Sequence, residues 1–347
     1  MNSIIKFFST AILAFAVFFN SIGNFLGIGD LIPTQPEEPS ETAVIEEETT
    51  FFEEPTTEYI EPTTAYVEPE TEPAATTTLP PQNPVETTAQ RVVVNGRYVC
   101  FGWGEQEIKD ALGETSAVVY ESFKDGRSLK SLVYSDDYSA VSVCQLVDGV
   151  FSGFYTIDTD AVVTDGTNEY SIASSGKTSQ SKLSIKEYKD SHQGDIVYAI
   201  YVSYNGFSFR SRDLVNQDGQ ATLNFYVVNG LRAIHGSQPL EYCDVAETTI
   251  RLYSEDMAAR GFFDHVSPEG SQIQDRLHAQ GIEFSVCAEN ILQATGSNTF
   301  GYADAWYNSH DGHREGMLST DYEYVGIAFV IADDGTTYGG QNFYRAK

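Results

Sequence analysis

The sequence predicts an α+β protein, with a C-terminal α-β-α sandwich preceded by a smaller, mostly-β or α+β domain and a disordered linker. Three observations predict this architecture. Segments of the last third carry apolar residues at helical spacing, and two apolar strands follow them around an Asp334-Gly335 turn signal. The middle of the chain alternates short apolar segments with Asn-Gly and Asp-Gly pairs, which is typical of β structure. A stretch rich in Glu, Thr and Pro precedes both parts.

The N-terminal segment predicts export. Residues 7–19 are an uninterrupted run of apolar or small side chains behind one charge, Lys6, and Ser21-Ile22-Gly23 offers a small-x-small cleavage site. Because residues 22–28 are again mostly apolar, the run 7–28 is also long enough to act as an uncleaved membrane anchor. Residues 1–29 are therefore expected to be a signal peptide or an anchor. The protein is expected outside the cell or in the cell envelope, with membrane contact through this segment only.

The second segment, residues 30–90, has the composition of a disordered spacer. It contains 14 Glu, 1 Asp, 14 Thr and 10 Pro, with no Lys or Arg, so it has too little apolar surface to offset the entropy of ordering. It contributes −15 of the formal net charge of −30, and residues 91–347 are strongly acidic as well. Such a chain repels polyphosphates, which excludes nucleic acid as a partner.

Residues 91–215 are predicted to form the smaller folded domain. Strands are expected at 91–94 and 98–101 around Asn95-Gly96, followed by a helix over 105–112 that Gly113 closes. Further strands are expected at 141–146, 196–204 and 207–210.

Residues 220–347 are predicted to contain four helices and two strands. The helices are expected at 223–234, 244–260, 271–279 and 299–308, with Ser271 as the N-cap of the third. The strands are expected at 325–332 and 336–344. Helices on both faces of a small antiparallel sheet form an α-β-α sandwich.

An ordered series of short motifs runs through this C-terminal domain. In chain order they are Asn224-x₇-Arg232, Gly261-Phe262-Phe263-Asp264-His265-Val266-Ser267-Pro268-Glu269-Gly270, Ala288-Glu289-Asn290-Ile291, Gly312-His313-Arg314 and Gly340-Gln341-Asn342-Phe343. The series resembles the CAP superfamily (cysteine-rich secretory proteins, antigen 5, pathogenesis-related 1), in its bacterial, extracellular SCP-like branch. Upstream, the segment 102–113 resembles the CAP-associated N-terminal domain of bacterial proteins. The first resemblance implies the same α-β-α sandwich.

The resemblance also implies a central cleft lined by His265, Glu289 and His313. Many eukaryotic members hold two His and two Glu there, and the fourth position falls on Ser309 in this sequence, so the tetrad is incomplete. His310 lies three residues before His313 and could substitute if both face one side of a turn.

Two imidazoles and a carboxylate can act in two ways. His265, His313 and Glu289 can bind a divalent metal such as Zn²⁺ with one open position, or they can form a closed hydrogen-bonded cluster. Arg232 and Asn290 match motif positions and are expected to support the cleft. Asp275-Arg276 resembles the family's Asp-Arg pair after the His loop and is expected to be a structural ion pair.

The four cysteines leave the redox state open. Cys100 and Cys144 lie in the first folded domain, and Cys243 and Cys287 lie in the second, which favours one disulfide within each domain among three connectivities. An exported protein permits such disulfides. Four buried thiols are the alternative.

Two functions compete. The first is a non-catalytic envelope module that binds a cell-wall component, a peptide or a small apolar ligand in the cleft, and the second is a metal-assisted hydrolase that uses the His and Glu cluster. Whether the protein is an enzyme stays open, with the binding module favoured. No Gly-x-Ser-x-Gly elbow or cysteine-protease signature supports a serine or cysteine nucleophile.

Overall fold

A computed structural model describes residues 89–174 and 183–347. The predicted signal peptide or anchor and nearly all of the predicted linker lie outside these residues. Within the described part of the chain, no helix is both long enough and apolar enough to cross a membrane.

Among its described residues, the N-terminal region contains two sheets and one α-helix. Its strands are β1 (Arg91–Val94), β2 (Arg97–Cys100), β3 (Ala117–Ser122), β4 (Ser128–Tyr134), β5 (Ser142–Val147), β6 (Val150–Thr156), β7 (Val162–Thr164), β8 (Glu169–Tyr170), β9 (Leu183–Asp190) and β10 (Ile196–Tyr204), and its helix is α1 (Glu105–Leu112). A four-stranded sheet has the order β2-β1-β7-β8, and a six-stranded sheet has the order β3-β4-β5-β6-β10-β9. The apolar side chains of both sheets and of α1 pack into one buried cluster.

Local sequence explains how this region begins. Asn95 and Gly96 have φ values of 50° and 72°, which suit a two-residue hairpin turn between β1 and β2. The predicted strand over 207–210 is wrong. This segment has no regular secondary structure, because Phe207 and Phe209 pack with Phe123 in a separate apolar cluster instead of pairing with a strand.

The C-terminal region contains five helices and one sheet among its described residues. These elements are α2 (Asp218–Ile234), β11 (Glu241–Tyr242), α3 (Asp244–Arg260), α4 (Ile273–Ala279), β12 (Phe284–Ala294), α5 (Thr299–Tyr307), α6 (His313–Leu318), β13 (Tyr324–Ile331) and β14 (Thr337–Ala346). The sheet has the order β11-β13-β14-β12, and all its pairs are antiparallel except β11 with β13.

The alternation of side chains along β13 builds a three-layer sandwich. Ile327 and Phe329 pack on one face of the sheet with the side chains of α2 and α5, whereas Ala328 packs on the other face with Ile250 of α3. Gly326 lies under α3, where a Cβ atom would meet the backbone nitrogen of Glu247 at 2.0 Å. The predicted α+β class and the α-β-α sandwich are confirmed.

Three local features of this region differ from the prediction. Helix α2 begins at Asp218, and α4 is capped by Gln272 rather than Ser271, because the Asp275 carboxylate accepts a hydrogen bond from the Gln272 backbone nitrogen at 2.9 Å. Strand β12 and helix α6 were not among the predicted elements, although both carry cleft motifs.

The two regions share a buried core. The rings of Tyr155 in β6 and Phe300 in α5 stack with centroids 4.2 Å apart. Helix α2 lies against the same sheet at Gly230, where a Cβ atom would be 2.2 Å from the Ile157 side chain. The C-terminal sandwich is therefore covered on one side by the N-terminal six-stranded sheet.

The predicted disulfides are not formed, since all four cysteines are described and all are free thiols. Cys243 directly follows β11 and Cys287 lies on β12, so strands β13 and β14 separate them by three strand spacings, roughly 14 Å. A disulfide requires Cα atoms within about 7 Å. Cys100 and Cys144 lie on strands of different sheets.

Candidate functional site

Three separate elements carry the predicted cleft residues. His265 lies in the loop between α3 and α4, Glu289 lies on β12, and His313 is the first residue of α6. Glu289 pairs with Asn342 of the neighbouring strand β14. The sheet therefore fixes the carboxylate, and a loop and a short helix bring the two imidazoles toward it.

The Glu289 carboxylate is buried and accepts two charged or polar donors. Its side chain is 2% exposed. Oε1 lies 3.0 Å from Nδ1 of His265, and Oε2 lies 2.7 Å from Nη2 of Arg276. A buried carboxylate requires such compensation, because burial without partners is costly. Both oxygens are therefore engaged within the protein.

Arg276 organises the His265 loop. Its guanidinium lies 3.5 Å from the centroid of the Tyr253 ring and donates to the backbone oxygens of Ser271 and His265. The Tyr253 hydroxyl donates in turn to the backbone oxygen of Asp264 at 2.6 Å. The expected pairing of Arg276 with its sequence neighbour is wrong, because Arg276 pairs with Glu289 and the neighbouring carboxylate caps α4.

The contact with Glu289 defines the tautomer of His265. A carboxylate can only accept a hydrogen bond, so Nδ1 of His265 carries the proton. In the neutral ring, Nε2 is then an acceptor with a free lone pair. The His265 side chain is 52% exposed, so this acceptor is available to a ligand from solvent.

His313 is more enclosed. Its Nδ1 lies 2.7 Å from the Ser309 hydroxyl, and its backbone oxygen accepts a hydrogen bond from Asn290 at 3.1 Å. Burial lowers the pKa of His313 below its ordinary value, and nearby His265 lowers it further. His313 is therefore neutral at neutral pH. Ser309 occupies the position of the second Glu of the family's tetrad, and it offers His313 a hydroxyl in place of a carboxylate.

His310 does not join this cluster. Its ring stacks on that of His192, with centroids 4.2 Å apart, and Nε2 of His192 lies 3.1 Å from the backbone oxygen of Ser309. The interpretation of His310 as a substitute cleft residue is therefore wrong, because its ring packs against the N-terminal region.

The two predicted support residues hold the ends of helix α6. Arg232 is 1% exposed and donates to the backbone oxygens of Met317 and Ser319, at 2.7 and 2.8 Å, at the end of α6. Asn290 donates to the backbone oxygen of His313 at its beginning and to Oε1 of Gln341 at 3.0 Å. The position of His313 is thus fixed from both ends of its helix.

The arrangement does not fit a three-ligand metal site. Among the described residues, no group of three or more His, Cys, Asp or Glu side chains is placed to hold a metal ion. Glu289 has its oxygens bound by His265 and Arg276, and the positive guanidinium beside it opposes a metal cation. The predicted metal site of His265, His313 and Glu289 is therefore not formed.

A network that the sequence analysis missed lies directly behind His313. Nη2 of Arg314 donates to Oδ2 of Asp190 at 2.8 Å, and the hydroxyl of Tyr307 donates to the same oxygen at 2.8 Å. Burial alone would raise the pKa of Asp190, but the hydrogen bonds from Arg314 and Tyr307 outweigh it and hold the pKa below its ordinary value. Nε2 of His235 lies 2.7 Å from the Tyr307 hydroxyl. No local signal reveals these contacts, since Asp190 and Arg314 are 124 positions apart in the sequence.

Comparisons with known proteins identify the region that carries this site. The sequence model of CAP, the cysteine-rich secretory protein family, matches residues 225–344. Residues 225–344 of this chain are a CAP domain. The predicted resemblance of this region is confirmed.

Two bacterial relatives share sequence with the CAP domain. The uncharacterized membrane protein YlbC of Bacillus subtilis (strain 168) is 31% identical over 125 residues, which are 34% of this chain and 32% of YlbC. The uncharacterized protein YkwD of the same organism is 31% identical over 105 residues, which are 30% of this chain and 40% of YkwD. The chain therefore matches well under half the length of either relative.

Two crystal structures share the fold at low sequence identity. An extracellular protein containing an SCP domain from Bacillus anthracis str. Ames has a TM-score of 0.53 at 17% identity, over 71% of this chain and 93% of that chain. A cysteine-rich secretory protein from Staphylococcus aureus Mu50 has a TM-score of 0.50 at 14% identity, over 71% and 91%. Since 71% of this chain exceeds residues 225–344, the shared fold extends beyond the CAP domain.

Proposed function

We propose that this chain is an exported cell-envelope protein whose CAP domain binds a component of the bacterial cell wall in its cleft without catalysing a reaction. The observation that carries this proposal is that both carboxylate oxygens of Glu289 already have partners within the protein. Its two oxygens are bound to His265 and Arg276 and its side chain is buried, so it is poorly placed to act as a general base or as a metal ligand.

The cleft retains groups that suit ligand binding. The exposed Nε2 acceptor of His265 can bind a hydroxyl or amide donor, and both groups are abundant in wall glycans and their peptides. Phe263 and Val266, in the same loop, are also exposed and offer apolar contact. Recognition of this kind needs a few fixed polar groups beside apolar surface.

The proposed location rests on the sequence and on the relatives. The apolar segment 7–28 and the acidic linker 30–90 suit export and projection through a wall. A relative is named a membrane protein, and a structural neighbour is described as extracellular. We also propose that residues 91–215 are the CAP-associated N-terminal domain, which motif 102–113 supports.

The proposal is tested by co-sedimentation of the purified protein with isolated bacterial cell walls. The His265→Ala variant should bind walls more weakly, by about tenfold if one hydrogen bond to the ligand is lost. The His278→Ala variant is the matched control, since His278 is an exposed histidine whose ring stacks on Phe284.

Two results would count against the proposal. Equal binding by the wild type and the His265→Ala variant would exclude the cleft as the binding site. Release of soluble wall fragments by the wild type, lost in the His265→Ala variant, would instead show that the cleft hydrolyses the wall.

A further inference from the structure

A polar pocket of about 200 Å³ lies in the N-terminal region, and none of its lining residues belongs to the CAP domain. The turn after β1, the end of α1, the end of β4 with the loop that follows it, and the loop after β6 form its walls. The pocket is smaller than the cavities of about 300–1,000 Å³ that hold drug-sized ligands. It therefore suits a small molecule.

The lining of this pocket is strongly acidic. Four carboxylates line it, those of Glu114, Asp136, Asp137 and Asp158, and no Lys, Arg or His is among its lining residues. Like charges that line one small cavity repel one another, and a cation placed among them relieves that repulsion. The charge pattern thus selects for a positively charged ligand.

Two of the lining residues each carry a buried polar atom that lacks a hydrogen-bond partner. Asp158 is 6% exposed, and its Oδ1 accepts a hydrogen bond from the Asp160 backbone nitrogen at 2.9 Å, whereas its Oδ2 has no hydrogen-bond partner. The hydroxyl of Tyr134 is also buried without a partner. Buried polar groups are nearly always hydrogen-bonded, so two such atoms on residues that line one pocket favour a hydrogen-bonding group that binds there.

The side chains favour an ammonium group over a metal ion. No group of three His, Cys, Asp or Glu side chains in the described part of the chain is placed to hold a metal. Asp137 is already engaged, because its Oδ1 accepts from the backbone nitrogen and the hydroxyl of Ser139, at 3.0 and 2.5 Å. An ammonium group needs up to three acceptors without a fixed coordination sphere, and spaced carboxylate and hydroxyl oxygens supply them.

We propose that this pocket binds a small organic molecule through a primary ammonium group, which donates hydrogen bonds to Oδ2 of Asp158 and to the hydroxyl oxygen of Tyr134. The exposed carboxylates of Glu114 and Asp136 at the pocket add attraction for the charge. The site is separate from the CAP cleft and does not depend on the function proposed for that cleft.

Isothermal titration calorimetry on the purified full-length chain tests this proposal with n-butylammonium as the probe. The neutral 1-butanol, Ca²⁺ and Mg²⁺ are titrated separately. We expect the wild type to bind n-butylammonium and not 1-butanol. The Asp158→Asn variant, which keeps the acceptor for Asp160, should bind the ammonium at least about tenfold more weakly because a charge-assisted hydrogen bond is lost.

Three further variants keep the result interpretable. The Asp195→Asn variant is the matched control, because it removes one charge at an exposed residue of the same region outside the pocket. Asp136→Asn changes an exposed lining residue, so weaker binding by that variant cannot be attributed to loss of folding. Tyr134→Phe should weaken binding several-fold through the loss of one acceptor.

The proposal is overturned by any of four results. These are binding of 1-butanol as tight as that of n-butylammonium, unchanged ammonium binding by the Asp158→Asn and Asp136→Asn variants, absence of ammonium binding by the wild type, and displacement of the ammonium by stoichiometric Ca²⁺. The last result would identify a metal site.

Discussion

Arg314 of the CAP domain donates a hydrogen bond to Asp190 of the N-terminal region, over 2.8 Å between side chains that are 9% and 4% exposed. His313 directly precedes this arginine in helix α6. A residue outside the CAP domain therefore helps to hold a helix that carries a cleft histidine. This contact couples the geometry of the candidate site to the N-terminal region.

Replacing Asp190 should destabilise the whole protein. The Asp190→Asn variant leaves Arg314 buried without its counter-charge, and breaking a buried pair in this way typically costs about 3–5 kcal/mol of unfolding free energy. Urea unfolding followed by circular dichroism measures the loss. The Asp195→Asn variant, changed at an exposed site on the same turn, should match the wild type, and a similar midpoint for both variants would contradict the prediction.

His313 should make stability depend on pH. Burial is the largest cause of its lowered pKa, so below about pH 6.5 the unfolded chain takes up this proton more readily than the folded chain. The contribution is fully present above that pH and is lost as the pH falls toward the lowered folded value. Unfolding free energies at pH 7.5 and 5.5 should differ less in His313→Gln than in the wild type. An equal difference in both proteins would refute this account.

Glu289→Gln should lower stability and loosen the His265 loop. The substitution keeps the shape of the side chain but leaves the Arg276 guanidinium without a buried counter-charge, a loss of about 3 kcal/mol or more. Hydrogen exchange of the loop amides should rise together with the loss of unfolding free energy. Glu283→Gln is the control, because the ion pair of Glu283 with Lys347 is exposed and should contribute less than about 1 kcal/mol.

Gly326 should not tolerate a methyl group. A Cβ atom there meets the backbone nitrogen of Glu247 at 2.0 Å, so helix α3 must move, and Gly326→Ala should cost about 1–3 kcal/mol or more. Gly230→Ala is the informative comparison, since its nearest contact is the end of the Ile157 side chain, which can rotate. Thermal unfolding should rank Gly326→Ala below Gly230→Ala, and the reverse order would exclude the proposed clash.

The four cysteines should be alkylated without prior reduction. Iodoacetamide added to the urea-unfolded protein in the absence of reductant should give four adducts by intact mass. The folded protein should react more slowly, because burial raises the pKa of the Cys287 thiol to about 11 and also raises that of Cys144, which keeps the reactive thiolate scarce. Two adducts or none in urea would show that disulfides form.

Apolar periodicity and turn residues within short segments predicted several helices and strands correctly. The helix over Glu105–Leu112, the strand over Ile196–Tyr204 and the helix over Asp244–Arg260 were each expected with the bounds that the structure has. Strand β12 was missed, because Glu289, Asn290 and Gln293 interrupt its apolar pattern. These polar side chains are satisfied by distant partners, which strand propensity does not encode.

Site chemistry was predictable where a motif named the residue and unpredictable where a partner came from elsewhere in the chain. The motifs supplied His265 and Glu289, which do make contact. The resemblance to the family's Asp-Arg pair suggested the wrong partner for Arg276, because successive residues of a helix point in different directions. The contribution of Asp190 depends on packing between the two regions, and composition or spacing within either region cannot show it.

The stacked rings of Tyr155 and Phe300 restrict how this gene can change by recombination. A crossover between the two regions would join a sheet shaped for one helix surface to a CAP domain shaped for another. A chimera whose CAP domain lacked Arg314 would leave Asp190 without its counter-charge, and one that lacked Phe300 would leave Tyr155 without its stacking partner. Substitutions on either side of this boundary are therefore expected to be inherited together in natural variants, so that the two regions diverge as one unit.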